Sequence, residues 1–568
     1  MIPSLVQHFS FYPFVQPLAR SRALFMLEAP TDTVHGGEMI WWKRSEQAAR
    51  HPVPMRLRCE NGCTQQWEAQ VDFPEECHYI KYGFWLKDGT GARHWLNAYG
   101  MQSKFTQNGA FERIQINETD VFTTPDWSKG CVWYQIFPDR FARSGENRGN
   151  ETMLDAWDAP PTRENYLGGD LRGIAARLDY LSDLGAECLY INPIFLGDFN
   201  HKYATTDYLQ VDPMFGTQQD LIDLVQKAHD KGMRVVLDGV FNHCGVHFPP
   251  FQDLMANGEQ SAYKTWFFPK RFPIRIDASC YECVGDYPYM PRLNGADPDV
   301  RAYVRKVLLY WLETAKIDGW RFDVADELDR HAVTLWREAV KRTHPCALML
   351  AETWGNARHM IGPDGFDSAM NYLFRDAMVD FFARGAIDAR ELQQRLEGML
   401  MQYPDEATLS MYNCLSSHDT ARFLTEAGGE RWRLRLAMAF QMLFLGSPAL
   451  YYGDEVGMMG ENDPGCRGGM NWDSPDHALL RWQKALIQQR KDHPALRLGT
   501  MRVLRAEQNL FVFLREYEKE RILAAFYTGE HPIQLDLAEA GGTVDIQPHS
   551  VKIIDPSLNH ESRRNATC

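Results

Sequence analysis

The chain has 568 residues, more than one compact domain holds, with an ordinary soluble composition of 45% hydrophobic and 24% charged residues. Its net charge of −15, with no Lys/Arg cluster to reverse it, argues against nucleic-acid and anionic-membrane partners, both of which need a basic patch. No apolar run approaches membrane-spanning length, and the opening MIPSLVQHFSFYPF lacks the basic and apolar regions of a secretory signal.

The twelve cysteines are scattered. Cys131, Cys188 and Cys414 sit in or beside apolar runs where buried thiols are common, so a cytoplasmic protein without a disulfide framework is expected. Cys280 and Cys283 form a lone CxxC, read as two free thiols because no second ligand pair accompanies it.

In chain order, residues 1–125 hold short β-rich runs such as Met39–Trp42 and Tyr79–Leu86, broken by Gly, Pro and Asp. They predict an N-terminal β-sandwich ending at Pro125 and Asp126. From Cys131 the texture changes. Strand candidates begin at Val132, Cys188, Val235, Gly319, Leu348, Ser368, Asn413 and Ala449, with helical patterns between them. Gln218–Lys231 places Leu221, Leu224, Val225 and Ala228 on one face, and Val304, Leu308, Trp311 and Leu312 repeat the pattern. This alternation over 126–497 predicts an α/β fold, a (β/α)₈ TIM barrel.

The third strand is separated from the fourth by an irregular insertion, about 245–294, rich in Phe, Tyr and Pro. It lies where a barrel enzyme builds a substrate wall. Residues 498–556 return to short alternating runs and predict a C-terminal β-sandwich, followed by a flexible polar tail at 557–568.

Three apolar runs end in a carboxylate: Asp323 after Gly-Trp-Arg-Phe, Glu352 after Leu-Met-Leu-Ala, and Asp419 after Ser-Ser-His. In a barrel those ends meet at one mouth. A single strand-end acid is usually a helix cap; three, each beside Arg, His or Trp, point to chemistry. Arg321 lies two residues before Asp323, on the same strand face, and is expected to keep it ionised. Glu352, beside the Trp354 indole, is expected to have a raised pKa, as a general acid needs. Asp238, Asn242 and His243 end the third strand, and His418 precedes Asp419. Such groups bind hydroxyls, and 16 Trp, 23 Tyr and 31 Phe supply rings on which sugar C–H faces pack. Retaining glycoside hydrolysis needs an acid and a nucleophile facing each other across the bond.

These segments resemble the α-amylase superfamily. DGVFNH (238–243), GWRFDVADE (319–327), AETW (351–354) and SSHDT (416–420) resemble its four ordered signature regions. MPRLN (290–294), NHKYATTDY (200–208) and YYGDEVGM (451–458) resemble the neopullulanase, cyclomaltodextrinase and maltogenic amylase subgroup.

The resemblance implies Asp323 as nucleophile, Glu352 as acid/base and Asp419 as transition-state stabiliser. It implies that Arg321, His243 and His418 contact the glucose at the cleaved bond, with Tyr203 stacked under it. Asp463 and Arg467 would contact the next sugar on the non-reducing side, and Trp354 and Glu327 would stand on the acceptor side. Asp326 stands where the subgroup has Asn, and Arg292 where it has Lys.

The resemblance further implies hydrolysis of α-1,4, and in some members α-1,6, bonds of cyclodextrins, malto-oligosaccharides and pullulan, with some transglycosylation. It also implies a homodimer formed through the N-terminal domain. The chemistry requires no cofactor; a structural calcium on Asn147 and Asn150 is the one metal site to test for, with Arg143 and Arg148 opposing it. The competing readings are a maltodextrin glucosidase, a trehalose-forming isomerase, and a non-catalytic glycan-binding relative that should have lost one of the three acids.

Overall fold

The computed structural model describes residues 5–46, 48–74, 79–114, 120–145 and 153–555. Asn147 and Asn150, the expected calcium ligands, lie outside the described residues, as does the tail from 556. The chain divides into two compact units.

The first unit comprises residues 1–123, 361–363 and 390–408. Two antiparallel sheets face each other. One contains Val15–Ala19, Arg22–Pro30, Thr64–Asp72 and Arg56–Glu60; the other is built on Gly36–Lys43, Tyr79–Lys87 and Arg93–Asn97. Alternate residues of both sheets meet in one core, with Phe25, Leu27 and Ala69 opposite Met39, Trp41, Tyr82 and Phe84. The helix Ala389–Leu400 belongs largely to this unit, although its sequence lies within the stretch read as barrel. Glu397 accepts a hydrogen bond from the Glu60 backbone at 2.9 Å, and the Met401 carbonyl accepts one from Gln66 at 3.3 Å.

The second unit holds the barrel. Its eight parallel strands are Trp133–Ile136, Cys188–Ile191, Arg234–Gly239, Gly319–Phe322, Leu348–Ala351, Ser368–Ala369, Tyr412–Cys414 and Ser447–Tyr451. They pair in chain order, the eighth returns to the first, and a Met370–Tyr412 bridge joins the sixth to the seventh. All eight sequence candidates form these strands.

Helices between them begin where the sequence supplies caps. Thr217 and Asp220 form a reciprocal capping box on Gln218–Asp230, and Asp297 caps Pro298–Thr314. The inserted segment is less irregular than expected: Pro249–Asn257 is helical, begun by prolines in its first turn.

Period-two alternation decides what fills the barrel. Trp133, Cys188, Tyr190, Val236, Leu348 and Leu350 point inward and form the apolar floor. Gly319 shares that floor because a side chain there would meet the Leu348 carbonyl oxygen at 2.5 Å. Two residues further along each strand the inward positions become Gln135, Asn192, Asp238, Arg321 and Glu352. The polar layer thus lies at the C-terminal mouth, where the chain is free to build loops.

Residues after 499 form the sheet Thr500–Glu507, Leu510–Tyr517, Glu520–Tyr527 and Ser550–Ile554, with the hairpin Ile533–Leu537 and Gly542–Ile546 packed on it through Leu535, Leu537 and Ile546. They cluster with the barrel in the same unit. The ten described cysteines are free, Cys280 and Cys283 included. Among the described residues no helix is long and apolar enough to cross a membrane.

Candidate active site

The mouth is organised around one buried guanidinium. Asp238 and Arg321 are register neighbours on strands three and four, and Asp323 follows Arg321 on the same face. Arg321 Nη1 donates to Asp238 Oδ1 at 2.9 Å and to Asp323 Oδ1 at 2.7 Å, and Nη2 lies 3.1 Å from Glu352 Oε2. The sequence placed Arg321 on the strand face of Asp323; the structure shows three carboxylates sharing that one cation. All four side chains are buried.

Burial pushes the Asp323 and Glu352 carboxyls above their usual range, against the pull of Arg321, and the charge of Glu352 raises Asp323 further. Asp419 and Asp326 also raise Glu352. The pair therefore titrates together, retaining a proton that isolated carboxyls would lose.

The local chain explains how Glu352 is aimed. Val324, directly after Asp323, has φ +46°, a left-handed conformation that a β-branched residue rarely adopts. It directs its N–H to Glu352 Oε2 at 2.8 Å and starts the short turn Ala325–Glu327. Trp354, expected beside Glu352, is 53% exposed and lies flat on Tyr372, with centroids 4.2 Å apart. Its indole forms a platform at the rim.

Asp419 accepts from Arg467 Nη2 at 3.2 Å and lies 3.2 Å from His418 Nε2. Burial holds His418 well below its ordinary pKa, so the ring is neutral at neutral pH. A directed network follows. Gln135 donates to His418 Nδ1 at 2.8 Å, leaving Nε2–H to face the Tyr203 hydroxyl at 2.5 Å. That hydroxyl donates to Asp238 Oδ2 at 2.8 Å, which Tyr190 also reaches at 2.6 Å. Asp238, with three donors, is held as the acceptor of the cluster. His243 is buried, 3.9 Å from Asp323, and burial lowers it to about 3.

Asn242 lies past the strand end and donates to Glu327 at 3.0 Å, while Arg292 lies 3.7 Å from the same carboxylate. Arg467 Nη1 meets Asp463 at 2.9 Å. Asp238, Tyr203, Arg321, Asp323, His243, Glu352, His418, Asp419, Arg467 and Asp463 thus form one continuous contact network, and Asn242 bonded to Glu327 forms a second group, with Arg292 beside the Glu327 carboxylate. Gln135, Asn192 and Tyr190 are members that sequence reasoning passed over. The signal was present: Gln135 and Asn192 are the polar residues of otherwise apolar strand runs.

The arrangement defines a class: a TIM barrel with an acid/base pair and a third carboxylate at its C-terminal mouth, lined by groups that bind hydroxyls. Comparison with known proteins gives the family. Residues 135–497 match the alpha amylase catalytic domain. The chain is 37% identical over 554 residues to a cyclomaltodextrinase of Thermoanaerobacter pseudethanolicus, covering 96% of each chain. It is 40% identical to neopullulanase 2 of Thermoactinomyces vulgaris, over 82% of this chain and 80% of that protein. A solved cyclomaltodextrinase structure superposes with a TM-score of 0.89 at 36% identity, covering 94% of each chain. The chain belongs to the α-amylase family, in its neopullulanase, cyclomaltodextrinase and maltogenic amylase subgroup, and is a glycoside hydrolase.

Proposed function

We propose that this chain is a retaining hydrolase of α-glucosidic bonds in cyclodextrins, malto-oligosaccharides and pullulan, with some transfer to sugar acceptors. The observation that carries the reading is the unequal hold of Arg321 on two carboxyls. Asp323 receives an aligned 2.7 Å hydrogen bond, whereas Nη2 approaches Glu352 without hydrogen-bond alignment. Retaining hydrolysis needs the proton on Glu352 and the negative charge on Asp323, and Asp323 has the aligned bond from Arg321 to hold that charge.

Glu352 gives its proton to the glycosidic oxygen as the bond to the anomeric carbon breaks. An Asp323 oxygen bonds to that carbon, forming a glycosyl-enzyme. Glu352, now a carboxylate, takes a proton from water, whose oxygen attacks the anomeric carbon and frees Asp323. Asp419 supplies negative charge to the oxocarbenium-like transition state, and Tyr203 offers a flat ring beneath the sugar. Asp238, His243, Arg321 and His418 orient its hydroxyls, with Asn242, Glu327 and Trp354 on the acceptor side and Asp463 and Arg467 on the other.

This chemistry runs entirely on side chains, so no cofactor is required; a calcium on Asn147 and Asn150 would serve stability alone. The test is product analysis from β-cyclodextrin, pullulan and soluble starch under matched conditions, with the anomeric form of the first product read by NMR. Short products released in the α-form support the reading. Trehalose accumulating from maltose, or β-anomeric products, would replace it.

We also propose a cytoplasmic homodimer formed through the N-terminal β-sandwich. Leu5, Phe9, Phe11 and Tyr99 of that unit are exposed at 62%, 46%, 62% and 72%, apolar surface of the kind that an interface covers. Light scattering should give twice the chain mass; a monomer with full activity on cyclodextrin removes the idea.

A further inference from the structure

One chain of hydrogen bonds crosses the barrel mouth, and the place of each hydrogen in it follows from a single charge. Asp238 is a buried carboxylate, and the hydroxyls of Tyr190 and Tyr203 reach its Oδ2 at 2.6 and 2.8 Å. A carboxylate only accepts, so both hydroxyl hydrogens are committed to it. The two tyrosine oxygens are left as acceptors. Asn192 Nδ2 lies 3.3 Å from the first and 3.0 Å from the second and donates to both. Asn192 Oδ1 therefore faces Gln135, whose Nε2 donates to it at 3.0 Å. The second hydrogen on that nitrogen points to His418 Nδ1 at 2.8 Å, while Gln135 Oε1 accepts from the Tyr412 hydroxyl at 3.3 Å.

The charge of Asp238 is thus transmitted through two hydroxyls and two amides to one imidazole nitrogen. His418 Nδ1 meets an N–H and carries no hydrogen of its own, so the ring hydrogen sits on Nε2. Reversing either amide would take the hydroxyl hydrogens from Asp238 or set two N–H groups against each other, and both are costly in a buried cluster.

Gln135 comes from strand one, Asn192 follows strand two, Asp238 ends strand three and Tyr412 opens strand seven. Gln135 and Asn192 are buried, so they act through the groups they touch. The main chain of His418 is held separately: its carbonyl accepts from Cys466 Sγ at 3.1 Å and from Arg467 Nε at 2.7 Å. With the residue fixed in place, the amides decide where the ring carries its hydrogen.

That hydrogen matters to Asp419. His418 Nε2 lies 3.2 Å from Asp419 Oδ2 and 2.5 Å from the Tyr203 hydroxyl. A neutral N–H there supports the carboxylate and leaves its charge intact. An imidazolium has hydrogen on both nitrogens and would cancel that charge by pairing with it. The Gln135 N–H disfavours this form, and the charges of Arg467 and Arg321 oppose it further. The charge so preserved is the one that faces the oxocarbenium-like transition state.

We propose that Gln135 and Asn192 are positioning residues of the reaction, an amide relay that fixes the ring hydrogen of His418 on Nε2 and so preserves the negative charge of Asp419. This inference rests on the hydrolase reading above.

A neutron structure of the deuterium-exchanged wild type at neutral pH reads the relay directly. Deuterium on His418 Nε2 alone, with the Gln135 amide deuterons facing His418 Nδ1 and Asn192, is expected; deuterium on Nδ1 would overturn the proposal. Kinetics on β-cyclodextrin reads the consequence. Gln135→Glu keeps the shape but turns an acceptor toward Nδ1 and draws hydrogen there, whereas Gln135→Met only releases the ring. Turnover should fall roughly tenfold to a hundredfold in Gln135→Glu and less in Gln135→Met, with KM little changed in either. A role in packing alone predicts the opposite order, because Glu fills the space of Gln. Adding Tyr203→Phe to Gln135→Met should cost little beyond the worse single variant, since both break one chain; losses that multiply would show that Gln135 does not act through His418 and Tyr203. Unchanged kcat in both Gln135 variants, in an enzyme that cleaves β-cyclodextrin normally, would overturn the relay alone. A wild type inactive on β-cyclodextrin, pullulan and maltoheptaose would overturn the hydrolase reading and the relay's role with it.

Discussion

Replacing Arg321 with Met isolates the electrostatic design of the site. Met retains much of the volume, so the main loss is a buried cation that faces Asp238, Asp323 and Glu352. Removing one partner of a buried ion pair costs about 3–5 kcal/mol, because the remaining charge has no water to turn to. The cost should depend on pH. Burial already places the Asp238, Asp323 and Glu352 carboxyls above their ordinary values, and Arg321 opposes the rise in each. Without it all three rise further. The folded variant then holds protons that the unfolded chain has released above about pH 4. A folded-state pKa raised in this way gives stability that is present at low pH and lost as pH rises through the folded value.

Each extra proton retained between pH 5 and pH 7 lowers the variant's stability by about 2.7 kcal/mol over that interval, relative to a chain without it. Denaturant unfolding of wild type and variant at pH 5, 6, 7 and 8, followed by tryptophan fluorescence, reads the difference. A small deficit at pH 5 that widens to several kcal/mol by pH 7 is expected. An equal deficit at every pH would show instead that packing alone was lost, because packing does not titrate.

Three other perturbations follow from the same geometry. Glu352→Gln removes the proton donor and should cut turnover of β-cyclodextrin by about 10²–10⁴-fold, with a much smaller loss on α-maltosyl fluoride, whose leaving group needs no proton; equal losses on both substrates would misplace the acid. Asp326→Asn removes a negative charge that raises Glu352, so the alkaline limb of the kcat–pH profile should move to lower pH; a shift upward or no shift contradicts the assignment. Arg490→Met strips a buried guanidinium that donates to the carbonyls of Gly130, Met442 and Phe444, at 3.1, 2.6 and 3.2 Å. Since unsatisfied buried carbonyls cost roughly 1–3 kcal/mol each, thermal melting should drop clearly while kcat at 25 °C stays at the wild-type value; a large loss of kcat would tie this residue to the site.

The barrel and its mouth were legible along the chain. Each strand candidate is an apolar run that turns polar at its end, and period-two alternation places Gly319, Arg321 and Asp323 on one face whatever surrounds them. The three acids were legible for the same reason: a carboxylate closing an uncharged strand is a local feature of the chain. Other decisions needed the sheet register and the packing. Arg321 serves Asp238 and Glu352 as well as Asp323 because strands three, four and five lie side by side, a relation between residues more than eighty or more than thirty positions apart along the chain. Trp354 lies two residues from Glu352, yet stacks on Tyr372, because ring faces pair through space and not along the chain. Gln135 and Asn192 looked like strand residues until closure of the barrel turned them onto His418 and Tyr203. The left-handed turn at Val324 ran against local preference, since a β-branched residue takes it only when neighbouring contacts outweigh its strain. Likewise residues 390–408 lie between barrel strands six and seven in sequence but cluster with the N-terminal sheets. Local pattern set which side chains face inward; closure of the barrel set which of them share a charge.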